Sequence, residues 1–229
     1  MKGKTGELKI VSREQGTFRD RTEAGFLLAD ELSGYREKDP VVLGIPMGGV
    51  ITAGAIAEKL DSDMDIVLSG KIGAPSNPEL ALGAVSEKGD IYINSEIAER
   101  EGVTQGYIQE KKKEIIEEIQ RRAKLFRKYL PGVPLEARTV IVTDDGVATG
   151  STIRASLWSL RHENPDELIV ALPVGAEKRL QELTGEADRV ICLRSAEPFY
   201  SVGQFYRDFS PVDDDRVIGI LNKYRDTGI

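Results

Sequence analysis

The chain has 229 residues, 40% of them hydrophobic, and a formal net charge of -7 at pH 7. That length and apolar content suit a single α/β domain spanning 1–229 with insertions, and the acidic balance argues against nucleic-acid or membrane partners, which reward a basic footprint. One cysteine, Cys192, excludes an internal disulfide, and one histidine, His162, argues against a zinc site. Neither a signal peptide nor an apolar run long enough to span a bilayer is visible, so a cytoplasmic protein is expected.

Met1 to Gly16 is polar apart from a short apolar alternation around Leu8 to Val11, which reads as an edge strand or a loose arm. Phe18-Arg19-Asp20-Arg21 then precedes a helix with Ala24, Leu27, Leu28 and Leu32 on one face, ended by Gly34. Arg19 and Arg21 stand at a helix start, where the dipole prefers acids; either an anion partner or pairing with Asp20 or Glu23 would account for them. Val41 to Ile45 is the first core strand. Pro46-Met47-Gly48-Gly49-Val50 carries it into a helix through Ala53, Ile56, Ala57 and Leu60, with two glycines that allow close backbone approach or positive φ.

Met64 to Ser69 is the second strand, and Lys71 to Glu79 leaves it as a turn-rich loop. Lys71 lies just past a strand's carboxyl end, where open α/β sheets place their ligands, and is the candidate local cation; a snorkelling surface lysine is the alternative. Leu80 to Val85 and Asp90 to Asn94 form a strand pair. Thr104 to Tyr129 is the longest helical pattern, with Ile108, Ile115, Ile116, Ile119, Ala123 and Phe126 in a narrow apolar stripe. Something must cover that stripe, either the same domain or a second copy in a homodimer. Lys111 to Lys113 reads as a solvated face because Glu110, Glu114, Glu117 and Glu118 interrupt it.

The most informative stretch is Thr139 to Thr152. Val140, Ile141 and Val142 form a buried-strand run that stops at Asp144 and Asp145. Gly146, Val147, Ala148, Thr149, Gly150, Ser151 and Thr152 follow, nearly all small, before the helical pattern Ile153, Leu157, Leu160 begins. Strand, small-residue loop and helix start make an anion cradle, in which backbone N–H groups and hydroxyls converge on one phosphate. The two carboxylates lie about one sugar's width away and can accept hydrogen bonds from vicinal hydroxyls. A capped strand–loop–helix junction explains Thr149 or Ser151 but not the paired carboxylates, and a nucleotide P-loop would need a lysine that this loop lacks.

Glu167 to Leu172, Ala176 to Thr184 and Arg189 to Leu193 continue as strand, helix and strand. The alternation is that of an α/β doubly wound parallel sheet. The tail, about 196–212, gathers Phe199, Tyr200, Phe205, Tyr206 and Phe209, either as a core plug or as a stacking wall.

The Thr139 to Thr152 stretch resembles the phosphoribosyl pyrophosphate (PRPP) motif of the type I phosphoribosyltransferases. Phe18 to Arg21, Pro46 to Gly49, Lys71 to Glu79 and Glu197 to Phe209 extend the resemblance, over roughly Phe18 to Val212, to a prokaryotic phosphoribosyltransferase group. The resemblance implies that Asp144 and Asp145 hold the ribose 2- and 3-hydroxyls as catalytic residues. It places Gly146 to Thr152 on the 5-phosphate, and Pro46, Met47, Gly48, Gly49 and Lys71 on pyrophosphate, with Mg2+ held mainly through PRPP. It also implies an antiparallel flap over the site, a helical insertion at about 104–130, and an aromatic hood whose Phe199 or Tyr200 stacks on the acceptor. The implied reaction is phosphoribosyl transfer from PRPP to a nitrogen acceptor of the nucleobase type. A PRPP-sensing regulator is the alternative, although no basic face or added helix-turn-helix is visible. Two departures from the family pattern are Met47, where an arginine is common, and Ala148, where some members have a third aspartate. Glu79, Glu87 and Glu197 are the candidate general bases, and nothing in their spacing selects one.

Overall fold

The computed structural model describes residues 5–224. The β-branched runs become a six-stranded sheet of β1 (Glu7–Ser12), β2 (Val41–Gly44), β3 (Asp63–Ile66), β7 (Thr139–Thr143), β8 (Glu167–Val174) and β9 (Arg189–Arg194). Every pairing is parallel, and the order is β1-β9-β8-β7-β2-β3. β2 and β7 are buried at every residue, as expected of strands covered on both faces. They lie side by side, Val41 against Val140 and Gly44 against Thr143, so the two loops at their carboxyl ends emerge together.

One face of the sheet packs on α1 (Arg21–Glu31), α2 (Gly48–Leu60) and α7 (Asp214–Tyr224), through residues such as Leu28, Ile56 and Leu221. The other face packs on α5 (Ser151–Arg161) and α6 (Glu177–Leu183), through Leu157, Leu160 and Leu180. α1 is started by the Asp20 side chain, which accepts from the Glu23 N–H, and it stops at Glu31. Gly34 lies beyond that end, in the 3-10 stretch Ser33–Lys38.

A second sheet of β4 (Gly70–Gly73), β5 (Ala81–Val85) and β6 (Ile91–Ile93) is antiparallel and forms the flap. It corrects the reading of Lys71 to Glu79 as loop throughout, since Lys71 pairs with Ala84 inside β4. Glycine hid that strand. Gly70 reads as a turn residue, yet its missing side chain makes room for a helix: a Cβ there would collide with Ile115 Cγ2. Ile115 belongs to α4 (Gln105–Phe126), which follows α3 (Ser95–Arg100). Ile108, Ile119 and Phe126 of α4 are buried within this chain, with Ile115, Ile116 and Ala123 packed beside them. The stripe is thus covered by its own domain and supplies no argument for a homodimer.

The flap lies along α5 and is tied to both of its ends. Lys71 reaches Ser151 at the start, and at the other end Lys88 pairs with Glu163 at 2.7 Å and Tyr92 stacks on His162 at 3.8 Å.

Candidate active site

The carboxyl ends of β2 and β7 place two loops in contact. Gly48 and Gly49 open α2 directly against Asp144 and Asp145: a Cβ on Gly48 would collide with Asp145 Oδ2, and one on Gly49 would lie 2.8 Å from Asp144 Cα and the Thr143 carbonyl. Backbone bars a side chain at Gly49, and one at Gly48 would have to displace the Asp145 carboxylate. The Pro46-Met47 peptide just before them is cis. Met47 itself is partly buried against the hydrophobic core, so it presents no cation to this loop.

Asp144 accepts from the Asp145 N–H at 2.8 Å and from the Gly49 N–H. Burial, reinforced by the Asp145 charge, pushes its carboxyl well above the ordinary carboxylate range. Asp145 has a different environment. Arg21 Nε donates to its Oδ2 at 2.8 Å, Arg21 Nη1 donates to the Ser210 carbonyl at 3.0 Å, and the guanidinium carbon sits 3.9 Å from the centre of the Phe209 ring. Tyr206 Oη donates to the Asp145 carbonyl at 2.6 Å, and Tyr206 stacks on Phe209 at 5.1 Å.

Arg21 answers the question raised by its place at a helix start. It is buried, with its anion partner 124 positions away in the second carboxylate, while Arg19 pairs with neighbouring Asp20. The signal that could have found it was the dipole mismatch, since a cation on the first turn of a helix needs an anion. Nothing in the sequence named the partner.

The hood is built from both ends of the resemblance. Phe18 N–H donates to the Phe205 carbonyl at 2.8 Å and Arg207 N–H donates back to the Phe18 carbonyl at 2.9 Å. Phe205 and Tyr206 are buried, which settles their part of the tail as core plug. Val202 touches the motif itself, since a Cβ on Gly146 would lie 2.7 Å from Val202 Cγ1. Phe199 leans on Phe205 with ring centres 5.1 Å apart, whereas Tyr200 is 83% exposed. A cavity of about 320 Å3 borders the site on its other side, between Pro46, Gly70, Thr152 and the α4 residues Ile115 and Arg122.

The loop from Gly146 to Gly150 joins β7 to α5, which begins at Ser151. Val147 is buried and bridges to Gly175, Ala148 and Thr149 are exposed, and Gly150 adopts φ 78° as the residue before α5. Lys71 Nζ donates to Ser151 Oγ at 3.1 Å and to Glu79 Oε1 at 3.1 Å. Glu79 therefore stands in the cradle, while the other two candidate bases lie elsewhere. Glu87 is held by Arg127, with Glu87 Oε2 2.7 Å from Nη2, and Glu197 accepts from the Phe199 N–H. Among the described residues no group of three or more His, Cys, Asp or Glu side chains is placed to hold a metal. Two carboxylates beside an anion cradle do suit a hard cation that takes most of its oxygens from a substrate and water, as Mg2+ does.

A model of the phosphoribosyl transferase domain matches residues 21–210, and the chain belongs to that family. "Putative phosphoribosyl transferase Rv0571c" of Mycobacterium tuberculosis H37Rv is 36% identical over 206 residues, as is "Putative phosphoribosyl transferase MT0597" of strain CDC 1551. The match takes in 90% of this chain and 46% of either relative, so the chain spans about half the length of the curated relatives it matches. Among solved structures, that of TT1426 from Thermus thermophilus superposes with a TM-score of 0.86 at 37% identity, covering 91% of this chain and 99% of that one. Among the described residues no helix is long and apolar enough to cross a membrane.

Proposed function

We propose that this protein transfers the phosphoribosyl group of PRPP to a nitrogen of a planar heterocycle of the nucleobase class, releasing pyrophosphate. The observation that carries the reading is the contact between the Gly48-Gly49 backbone and the Asp144–Asp145 pair, which leads directly into an anion cradle. A sugar bridging two phosphate groups needs that order: pyrophosphate on the first loop, ribose hydroxyls on the carboxylates, 5-phosphate on the second loop.

In the reaction the bond from ribose C1 to the pyrophosphate oxygen breaks, a bond from C1 to the acceptor nitrogen forms, and the nitrogen's proton leaves to solvent or a base. Asp144 and Asp145 accept from the ribose hydroxyls and fix the ring. The N–H groups and hydroxyls of Gly146 to Thr152 hold the 5-phosphate, and the glycine loop with Lys71 receives the leaving group. Such positioning and charge stabilisation are the expected sources of rate where the transition state is close to an oxocarbenium ion. Asp144 or Asp145 would help hold Mg2+ bound mainly through PRPP, and the ion would supply charge neutralisation for the leaving pyrophosphate. With Met47 in the loop, the cations nearest the pyrophosphate side are Arg21, which is paired with Asp145, and Lys71, which would turn to the leaving group, while Phe199 and Tyr200 supply rings at the acceptor side.

A panel of purines, pyrimidines and small amines with PRPP and Mg2+, read by pyrophosphate release, tests the proposal. Release that depends on one acceptor supports transfer; tight PRPP binding with no release for any acceptor would identify a sensor instead.

A further inference from the structure

Three donors expected to hold a phosphate are already holding an anion. Thr149 Oγ1 and Ser151 Oγ donate to Glu79 Oε2 at 3.2 Å and 3.3 Å, and Lys71 Nζ donates to Glu79 Oε1 at 3.1 Å. Thr149 and Ser151 come from the cradle between β7 and α5, Lys71 from strand β4, and Glu79 from the turn that joins β4 to β5. The carboxylate therefore crosses from the flap into the cradle and ties the two together. Its own segment is exposed from Pro75 to Glu79; apart from these donors, that turn is held by the Glu79 N–H to Asn77 Oδ1 at 3.1 Å and by Ser76 Oγ to Glu101 Oε2 at 2.6 Å.

We propose that Glu79 is an internal competitor for the 5-phosphate position, and that the turn carrying it must withdraw before a phosphorylated sugar can enter. The inference rests on the reading of Thr149 and Ser151 as phosphate ligands. Its physical content is an exchange of anions. A carboxylate brings two acceptor oxygens and one charge, whereas a phosphate monoester brings three terminal oxygens and close to two charges. A carboxylated ligand would at best replace like with like, so Glu79 biases the cradle toward phosphate esters. Entry of the ester also frees Lys71 from Glu79, leaving its ammonium available to the pyrophosphate side. Phosphate binding and the charge of the leaving-group side are in this way linked through one flap residue.

Calorimetry with ribose 5-phosphate as the probe tests the proposal on the parent, Glu79→Gln, Glu79→Ala and a control, Glu101→Gln. Glu101 accepts from Ser76 Oγ of the same turn; in Glu101→Gln the amide oxygen can still accept that bond, so the replacement removes the same formal charge without freeing the turn or touching the cradle. Glu79→Ala should bind about tenfold more tightly than the parent, the size expected for releasing one exposed ion pair and two hydroxyl contacts, and Glu79→Gln, whose amide oxygen can still accept from the hydroxyls, about threefold more tightly. The control should stay within about twofold. Unchanged or weaker binding in both Glu79 variants overturns the proposal, as does an equal gain in Glu101→Gln, which would mark a general charge effect. If ribose 5-phosphate binding is lost in Ser151→Ala while the Glu79 variants match the parent, the phosphate site stands and only the competitor falls. Absence of binding to every protein would overturn the phosphate site and the competitor together.

Discussion

Arg21→Met removes a charge but keeps an apolar stem against Phe209, and its cost can be worked from the contacts it breaks. The Arg21 side chain is 7% exposed and that of Asp145 17% exposed, so the variant leaves a largely buried carboxylate without its cation. Breaking such a pair from one side costs about 3–5 kcal/mol, and the Asp145 rim in solvent favours the lower end. The lost bond to the Ser210 carbonyl adds about 1 kcal/mol, and thioether contact with Phe209 recovers part of the cation–π energy. The sum is about 4 kcal/mol, or about 8–16 °C in Tm for a domain of this size. Urea unfolding of Arg21→Met, Asp145→Asn and the double variant measures the coupling. The double variant should recover at least about 2 kcal/mol relative to the sum of the single losses, since it leaves no unpaired charge. A loss below about 1 kcal/mol in Arg21→Met, or additive single effects, would refute the assignment of Arg21 as the partner that holds Asp145.

The raised carboxyl of Asp144 sets a pH dependence. The native state keeps the proton at pH values where the unfolded chain has released it, so this group's contribution is full below the ordinary carboxylate range and is lost as pH rises through the native value. Asp144→Asn should therefore be more stable than the parent at pH 7, with the gap closing toward pH 4, while binding PRPP more weakly; denaturant unfolding at both pH values checks the first part and calorimetry the second. Gly49→Ala meets backbone at 2.8 Å, which no side-chain rotation relieves, and should abolish PRPP binding as read by calorimetry and lower Tm. Tyr200→Ala should leave Tm unchanged, whereas Phe199→Ala should lower it, because only Phe199 packs on Phe205. At least one of the two should reduce acceptor-dependent pyrophosphate release at full PRPP affinity.

What could be read from the chain alone was whatever is local. The run from Thr139 to Thr152 carries its strand, its carboxylates and its small-residue loop in consecutive positions, and Pro46 to Gly49 is as compact. Both appear where they were expected because strand and loop are set by neighbouring residues. β4 was missed because Gly70 answers to Ile115 of α4 and not to any turn. Arg21 was seen as anomalous but not placed, since its partner is 124 positions away and no periodicity links them. Glu79 stood among three candidate bases until the antiparallel pairing of β4 with β5 carried the intervening turn over α5. Composition marked the aromatic tail as important, but which rings fill the core and which face outward depended on the exchange of hydrogen bonds between Phe18 and the segment Phe205 to Arg207.

The most direct measurement is calorimetric titration of PRPP with Mg2+ into the parent and into Asp144→Asn/Asp145→Asn, with inorganic phosphate titrated into both. Loss of the charged hydrogen bonds to the ribose hydroxyls, at about 1.5–3 kcal/mol each, should weaken PRPP by several kcal/mol at most. Phosphate should bind the two proteins alike, because the cradle is untouched. Equal PRPP affinity in parent and variant, or an equal loss for PRPP and phosphate, would contradict the placement of the ribose on these carboxylates.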